Sequence, residues 1–143
     1  MLKLWTIGLI GLGLLWFYAA RGPDAGRFNR VVDAEDHLKK FRECRGCDLK
    51  RSELSYADLK GVDLEGANLQ GTDLNQADLR GANLRGVLLK RADLSTATQL
   101  DGADLTGADL REANVSLAQL EKAVLCRTIL PDGSQSQRCA IGR

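Results

Sequence analysis

The chain is short of aromatic residues, of histidine and of net charge. It holds three Phe, two Trp and two Tyr in 143 residues. Four of these, Trp5, Trp16, Phe17 and Tyr18, fall in the first eighteen positions, so the chain divides into two chemically different pieces. A formal net charge of +1 lacks the basic excess of a general nucleic-acid binder. His37 is the only histidine and is read as a solvated helix residue, not a ligand or base. No serine–histidine constellation is therefore indicated, and no glycine-rich phosphate loop follows a strand. Without a catalytic, cofactor or metal site to point to, the expectation is a non-enzymatic protein. The length suits one domain.

What the chain does have is a repeat. From Cys47 to Asp132 it cycles through five-residue units: a small residue, Asp or Asn, Leu, then two variable positions, as in Ala57-Asp58-Leu59-Lys60-Gly61. The unit centres are Leu49, Leu54, Leu59, Leu64, Leu69, Leu74, Leu79, Leu84, Leu89 and Leu94. After a one-residue slip they resume at Leu105, Leu110, Val115, Leu120, Leu125 and Leu130. Leu100 centres a stretched unit of six, Ala97 to Gly102. A period of five fits no amphipathic helix, because successive leucines would sit roughly 140° apart around the axis. It fits no straight strand, because an odd spacing sends successive leucines to opposite faces. The backbone must turn once per unit, so that every leucine points to a common axis. The small residues two positions earlier fill the corners, and the glycines that close many units suit turns with positive φ. The repeated Asp residues are then spaced by the turn and not paired for acid–base work.

These units resemble the pentapeptide-repeat family, whose consensus is A-(D/N)-L-x-x. The resemblance runs over 47–132. It implies an all-β solenoid: a right-handed quadrilateral β-helix, four units to a coil and about four coils tall, with neighbouring coils at the ordinary ~4.8 Å strand spacing. Leu79 should lie buried between Leu59 and Leu100. The slip should bulge outward at Thr98 and Gln99 and leave Leu100 inside, as a recognition feature or a harmless insertion.

Around that repeat the division is 1–21 a membrane anchor or signal peptide, 22–32 a tether, 33–46 a capping helix and the approach to the first coil, and 133–143 a tail. Leu4 to Ala20 is uncharged and would reach about 25 Å as a helix, the lower end of what spans a bilayer. Its aromatic ends look like interfacial belts. A cleaved signal peptide is the rival, but the candidate cleavage sites carry Tyr18 or Pro23 in unfavourable places. The expectation is a transmembrane helix, single-pass and uncleaved, in contact with membrane lipid through residues 4–20. Asp33 reads as the N-cap of a helix of about ten residues, with Asp36 as a weak capping box. Leu38 and Phe41 should pack on the open end of the solenoid. Pro131-Asp132-Gly133 ends the last coil, and the tail should fold back over it.

Stacking units four apart collects Lys50, Arg51, Lys90, Arg91 and Arg111 on one face and Glu53, Asp73 and Asp93 on the next. The first is a candidate interaction face for an acidic partner or anionic headgroups, against the plainer reading of a solvated wall. Leu88 and Val124 stand where Asp or Asn belongs, as exposed apolar departures.

Four cysteines admit three readings. A shared zinc site would need ligands from both ends of the solenoid. Cys44 and Cys47 form a C-x-x-C pair that could exchange thiols, though no βαβ setting supports it. Structural disulfides Cys44–Cys47 and Cys126–Cys139 are the reading adopted, the second the firmer because Cys126 faces outward. Cys47 fits equally as a buried small hydrophobe. The terminal segments around these cysteines resemble those of bacterial, especially cyanobacterial, members of the family.

The expected function is a non-enzymatic, membrane-tethered interaction or scaffold module with an unidentified protein partner, a membrane complex among the candidates. Arg21, Arg27 and Arg30 against Lys3 favour a cytoplasmic repeat domain, whereas disulfides favour the periplasm or a thylakoid lumen. The second location is adopted. A thiol redox role through Cys44 and Cys47 is the alternative. A DNA-mimic topoisomerase-protecting protein is a further rival, but 47–132 holds 14 acidic and 10 basic residues, a weak net charge of −4.

Overall fold

The computed structural model describes residues 31–139. The leucines form the axis, as their spacing requires. In each turn of the chain twenty residues pass four walls, and parallel bridges join Asp58 to Asp78, Asp63 to Asn83 and Asp73 to Asp93 in successive coils. Wall A stacks Leu49, Leu69, Leu89, Leu110 and Leu130. Wall B stacks Leu54, Leu74, Leu94 and Val115. Wall C stacks Leu59, Leu79, Leu100 and Leu120, and wall D stacks Cys44, Leu64, Leu84, Leu105 and Leu125. All are buried except Val115 and Leu130, which are half-buried near the C-terminal end.

The unit's sequence follows from where its backbone groups go. From Leu49 to Leu94 each axial leucine N–H donates to the coil below, as Leu49 does to the Asn68 carbonyl at 2.9 Å and Leu79 to that of Gln99 at 2.9 Å. The corner is closed by a bond back to the leucine carbonyl, Ala82 N–H to Leu79 O at 3.1 Å. That turn puts its third residue at positive φ, +66° at Gly81, where a Cβ is a burden. The Asp or Asn before each leucine accepts the N–H two residues on. Asp78 Oδ1 takes that of Arg80 at 3.1 Å and Asp58 Oδ1 that of Lys60 at 3.2 Å. Threonines enter the corners because their hydroxyls reach a carbonyl of the preceding coil, Thr72 to Leu49 O and Thr128 to Leu105 O, both at 2.7 Å.

The slip is absorbed differently from the sequence expectation. Leu100 is inside and Gln99 outside, but Thr98 is buried, its hydroxyl on the Leu74 carbonyl at 2.7 Å. It takes the small corner position that the Ala of other units holds. The extra residue enters directly after Leu94. Thr98 N–H closes its turn on Ser95 O instead of a leucine carbonyl, so Ser95 and Thr96 carry the bulge. In the coil below, a short helix, α2 (Leu117–Leu120), replaces the expected regular corner. It begins in a capping box between Ser116 and Gln119. The Gln119 amide nitrogen then lies 2.8, 3.1 and 3.2 Å from the carbonyl oxygens of Leu94, Ser95 and Thr98. The bulge is clamped from beneath, which makes it a structural joint.

The N-terminal end is covered by α1 (Val31–Phe41). Asp33 therefore lies inside the helix and is not its N-cap. Ala34 and Leu38 are buried on the first coil, but Phe41 is 55% exposed. The helix ends at Phe41 and the chain turns away through Arg42 at φ +55°, carrying the ring past the rim. It packs instead on His37, ring centroids 4.6 Å apart, so His37 is half-buried and not simply solvated. A cleft of about 220 Å³ remains between Leu38, Arg42, Leu54, Leu59 and Val62. Arg42 covers the rim of wall C, its guanidinium donating to the carbonyls of Asp58 and Lys60, which a further coil would otherwise meet. At the other end β1 (Leu125–Ile129) pairs antiparallel with β2 (Gln135–Arg138), so the tail lies against the edge of the last coil. Among the described residues no helix is long and apolar enough to cross a membrane. The segment Leu4 to Ala20 and the tether up to Arg30 lie outside them.

Candidate functional site

Wall A carries all five basic residues singled out in the sequence, but it is less basic than their number suggests. Lys90 Nζ is 3.3 Å and Arg91 Nε 2.6 Å from the Glu112 carboxylate. Arg111 makes a two-pronged bond to Asp109, Nη2 to Oδ2 at 2.6 Å and Nε to Oδ1 at 2.9 Å. Lys50 and Arg51 have no ion pair among the described residues, because the coil below offers Gln70 and Gly71. Glu112 is the residue that reading one wall by its basic positions misses. Its distance in sequence from Arg91, one coil plus the slip, was the signal. Leu88 stands 37% exposed between Asn68 and Asp109.

Wall B carries a ladder of Glu53, Asp73, Asp93 and Asn114, bridged coil to coil. Like charges at strand spacing would repel, and amides separate them. Asn75 Nδ2 donates to Asp73 Oδ1 at 2.9 Å and to Asp93 Oδ2 at 3.1 Å, and Asn114 Nδ2 donates to Asp93 Oδ1 at 3.1 Å. The Ser95 hydroxyl donates to Asn75 Oδ1 at 2.6 Å. Hydrogen bonds from Ser95, and further ones from Asn75 and Asn114, hold the Asp93 carboxyl below the usual carboxylate range. At the next corner Gln76 Nε2 donates to the Tyr56 hydroxyl at 3.1 Å, and Tyr56 is 73% exposed.

The corners differ in a way that the hydrogen bonds do not require. After walls C and D the positive-φ position is glycine in Gly61, Gly81 and Gly102, and in Gly46, Gly66, Gly86 and Gly107. After wall A it is Arg51, Gly71, Arg91 and Glu112, and after wall B Tyr56, Gln76 and Ala97. The other non-glycine cases, Arg42 and Arg127, lie at the ends of the solenoid. Walls A and B are thus framed, at every corner but Gly71, by side chains held in a costly backbone conformation.

The cysteines form two separate pairs. Cys44 and Cys47, sulfurs 2.00 Å apart, span one of the corner turns at the head of the wall D column, both at 0% exposure. Thiol exchange needs an attacking thiolate to reach a sulfur, and this position gives it no path. Cys126 and Cys139, sulfurs 1.97 Å apart, tie β1 to the end of β2. No group of three or more metal-ligating side chains occurs among the described residues.

The Arg80 hydrogen bond pulls the Asp78 carboxyl down to about 2, and Arg111 lowers that of Asp109 in the same way. Since the unfolded chain releases these protons near pH 4, about 3.9 for an unperturbed Asp, the pairs stabilise the fold above about pH 4, and the contribution is lost as pH falls towards 2. The thermal midpoint should drop across that window. In Asp78→Asn, which keeps the acceptor for the Arg80 N–H, the drop should be smaller; an identical acid profile would refute the assignment.

Comparison with known proteins agrees with this architecture. Residues 43–66, 57–95 and 96–127 match the pentapeptide repeats, in eight copies. Similar solved structures include HetL, a pentapeptide repeat protein involved in heterocyst differentiation regulation from the cyanobacterium Nostoc sp. strain PCC 7120. It is 31% identical over 66% of this chain and 55% of its own, with a TM-score of 0.39. A second pentapeptide repeat protein from Nostoc is 47% identical over 58% of this chain and 64% of its own, TM-score 0.46. One from the Arabidopsis thaliana thylakoid lumen is 29% identical over 64% and 70%, TM-score 0.28. The chain thus spans less than two thirds of the length of the first two. No curated protein matches it. Proteins of this kind form right-handed quadrilateral β-helices, and the four walls and twenty-residue coil seen here match that quadrilateral section. The chain belongs to the pentapeptide-repeat family.

Proposed function

We propose that the chain is a membrane-tethered, non-enzymatic interaction module that meets its partner through walls A and B. The observation that carries this reading is the placement of Arg51, Tyr56, Gln76 and Arg91 at left-handed corners where the other walls use glycine. Such residues cost roughly 1–2 kcal/mol each relative to glycine, and a solvated wall gains nothing from that cost. The partner's surface then has to suit a polar ladder flanked by cations and Tyr56, with Leu88 as an apolar contact. The uncharged Leu4 to Ala20 segment supplies the tether, and the two disulfides suit a periplasmic or lumenal domain.

Replacing the four corner residues together (Arg51→Gly, Tyr56→Gly, Gln76→Gly, Arg91→Gly) should leave the thermal midpoint unchanged or raise it. The same variant should lose its cross-linked partner in intact cells. Retained cross-linking, with loss instead on changing Lys60, Arg85 and Lys122 of walls C and D, would overturn the assignment of the surface. Location is read separately by alkylating thiols in intact cells before lysis. Cys126 and Cys139 should stay unmodified until reductant is added; their modification without it would place the domain in the cytoplasm.

A further inference from the structure

A parallel coil leaves polar edges at its ends, and this solenoid covers some and not others. Arg42 takes the upward carbonyls of wall C, and β2 pairs with β1 at the far end. On wall A of the first coil nothing among the described residues meets the Asp48 N–H or the carbonyls of Asp48 and Lys50. One coil down, the equivalent groups of Asn68 and Gln70 are all bonded: Asn68 N–H to Cys47 O at 2.8 Å, Leu49 N–H to Asn68 O at 2.9 Å and Arg51 N–H to Gln70 O at 3.0 Å.

A second, independent observation lies at the same corner. Ser52 is 3% exposed and its hydroxyl has no partner among the described residues. One coil below, the Thr72 hydroxyl reaches back to the Leu49 carbonyl. By the same geometry the acceptor for Ser52 belongs to a segment lying above the first coil. The charges beside this edge also differ from the rest of the wall. Among the described residues Lys50 and Arg51 are the two wall A cations without a carboxylate, and the Asp48 carboxylate is turned onto its own Lys50 N–H at 3.3 Å. Beyond the corner Glu53 reverses the sign, so the positive stretch is confined to wall A.

We infer that the rim from Asp48 to Ser52 is a docking edge for an extended segment of a partner protein that bears an acidic side chain. The segment adds as one more strand. It supplies the acceptor for Asp48 N–H and Ser52 Oγ and donors for the two carbonyls, and its carboxylate lies over Lys50 and Arg51. This rests on the reading of walls A and B as the contact surface and adds the partner's chemistry to it.

The test is residue-resolved amide hydrogen exchange on the full chain with a blocked pentapeptide, Thr-Val-Glu-Val-Thr, and its lysine counterpart, each at millimolar concentration. Alone, the Asp48 amide should exchange at the rate of an open strand edge. Protection without peptide would mean that another part of this chain already occupies the rim, and the inference fails. The glutamate peptide should slow Asp48 exchange about tenfold or more, and the lysine peptide should not. Equal effects, no effect, or protection at Val115 on the opposite rim instead would overturn it. Ser52→Ala should raise the thermal midpoint of the free chain, by removing a buried unpaired hydroxyl, and weaken the peptide about fivefold. A lower midpoint with unchanged peptide binding would leave the hydroxyl a packing role only. The variant Tyr56→Gly, Gln76→Gly, Arg91→Gly leaves the rim, Lys50 and Arg51 in place. It should keep peptide protection even where it loses cross-linking, so the two readings fail separately.

Discussion

Leu79→Ala should cost the fold about 2–5 kcal/mol in chemical denaturation, the largest single-residue effect expected. Leu79 is 0% exposed, stacked in wall C between Leu59 and Leu100, with no route by which neighbouring coils could close on the void. Its backbone N–H is spent on Gln99 O and its carbonyl on the Ala82 turn, so the coil cannot settle inward without losing both. Arg80→Ala, one residue away and outside, removes a two-pronged bond to Asp78 at 2.8 and 2.5 Å. Because the pair is exposed to solvent, the loss should be several-fold smaller than at Leu79. Similar losses at the two positions would be incompatible with a coil that buries one and solvates the other.

Reduction of the Cys126–Cys139 bond should be the next largest effect, about 3 kcal/mol for a loop of this size on the chain-entropy account. The bond joins the half-buried Cys126 of β1 to the exposed Cys139 at the end of β2. The strands pair at Leu125 with Arg138 and Cys126 with Gln137, then shift register before Ile129 meets Gln135. Ser136 is the one buried residue of β2, so little apolar area holds the strand in place. Cys139→Ser should therefore release amides of 125–138 to exchange while the first three coils stay protected. Uniform loss of protection along the stack would show that the hairpin is not a separable lock.

The axial leucines were legible because one inward side chain per unit is a geometric necessity once a period of five excludes helix and strand. Thr98 was misplaced because a hydroxyl looks like a surface group until the Leu74 carbonyl that satisfies it is known. Phe41 was misplaced because helix periodicity gives a face and not a length; the helix stops at that residue and the face runs out. α2 and the Gln119 clamp depend on carbonyls freed by a bulge twenty-odd residues earlier, a dependence local reading does not contain. Glu112 was hidden for the same reason, since a wall's charge balance is set by residues a full coil apart. The choice between glycine and other residues at the corners was in plain view. Its meaning came only when the positive φ at Arg51, Tyr56, Gln76 and Arg91 showed that all these corners share one conformation.

The four-walled coil also acts as a ruler for the chain's own evolution. Duplicating the twenty residues 60–79 would heighten the stack and leave every downstream side chain on the wall it now occupies. Duplicating a single pentapeptide would keep every leucine inside, yet it would swing all that follows by a quarter turn. Lys90, Arg91 and Glu112 would then face the direction now held by another wall, out of line with Lys50 and Arg51. The one insertion the chain does carry avoids this outcome, because Asp78 still pairs with Gln99 and Asn83 with Asp104 across it. Stability tolerates growth in fives, and a contact surface shared between coils tolerates it only in twenties.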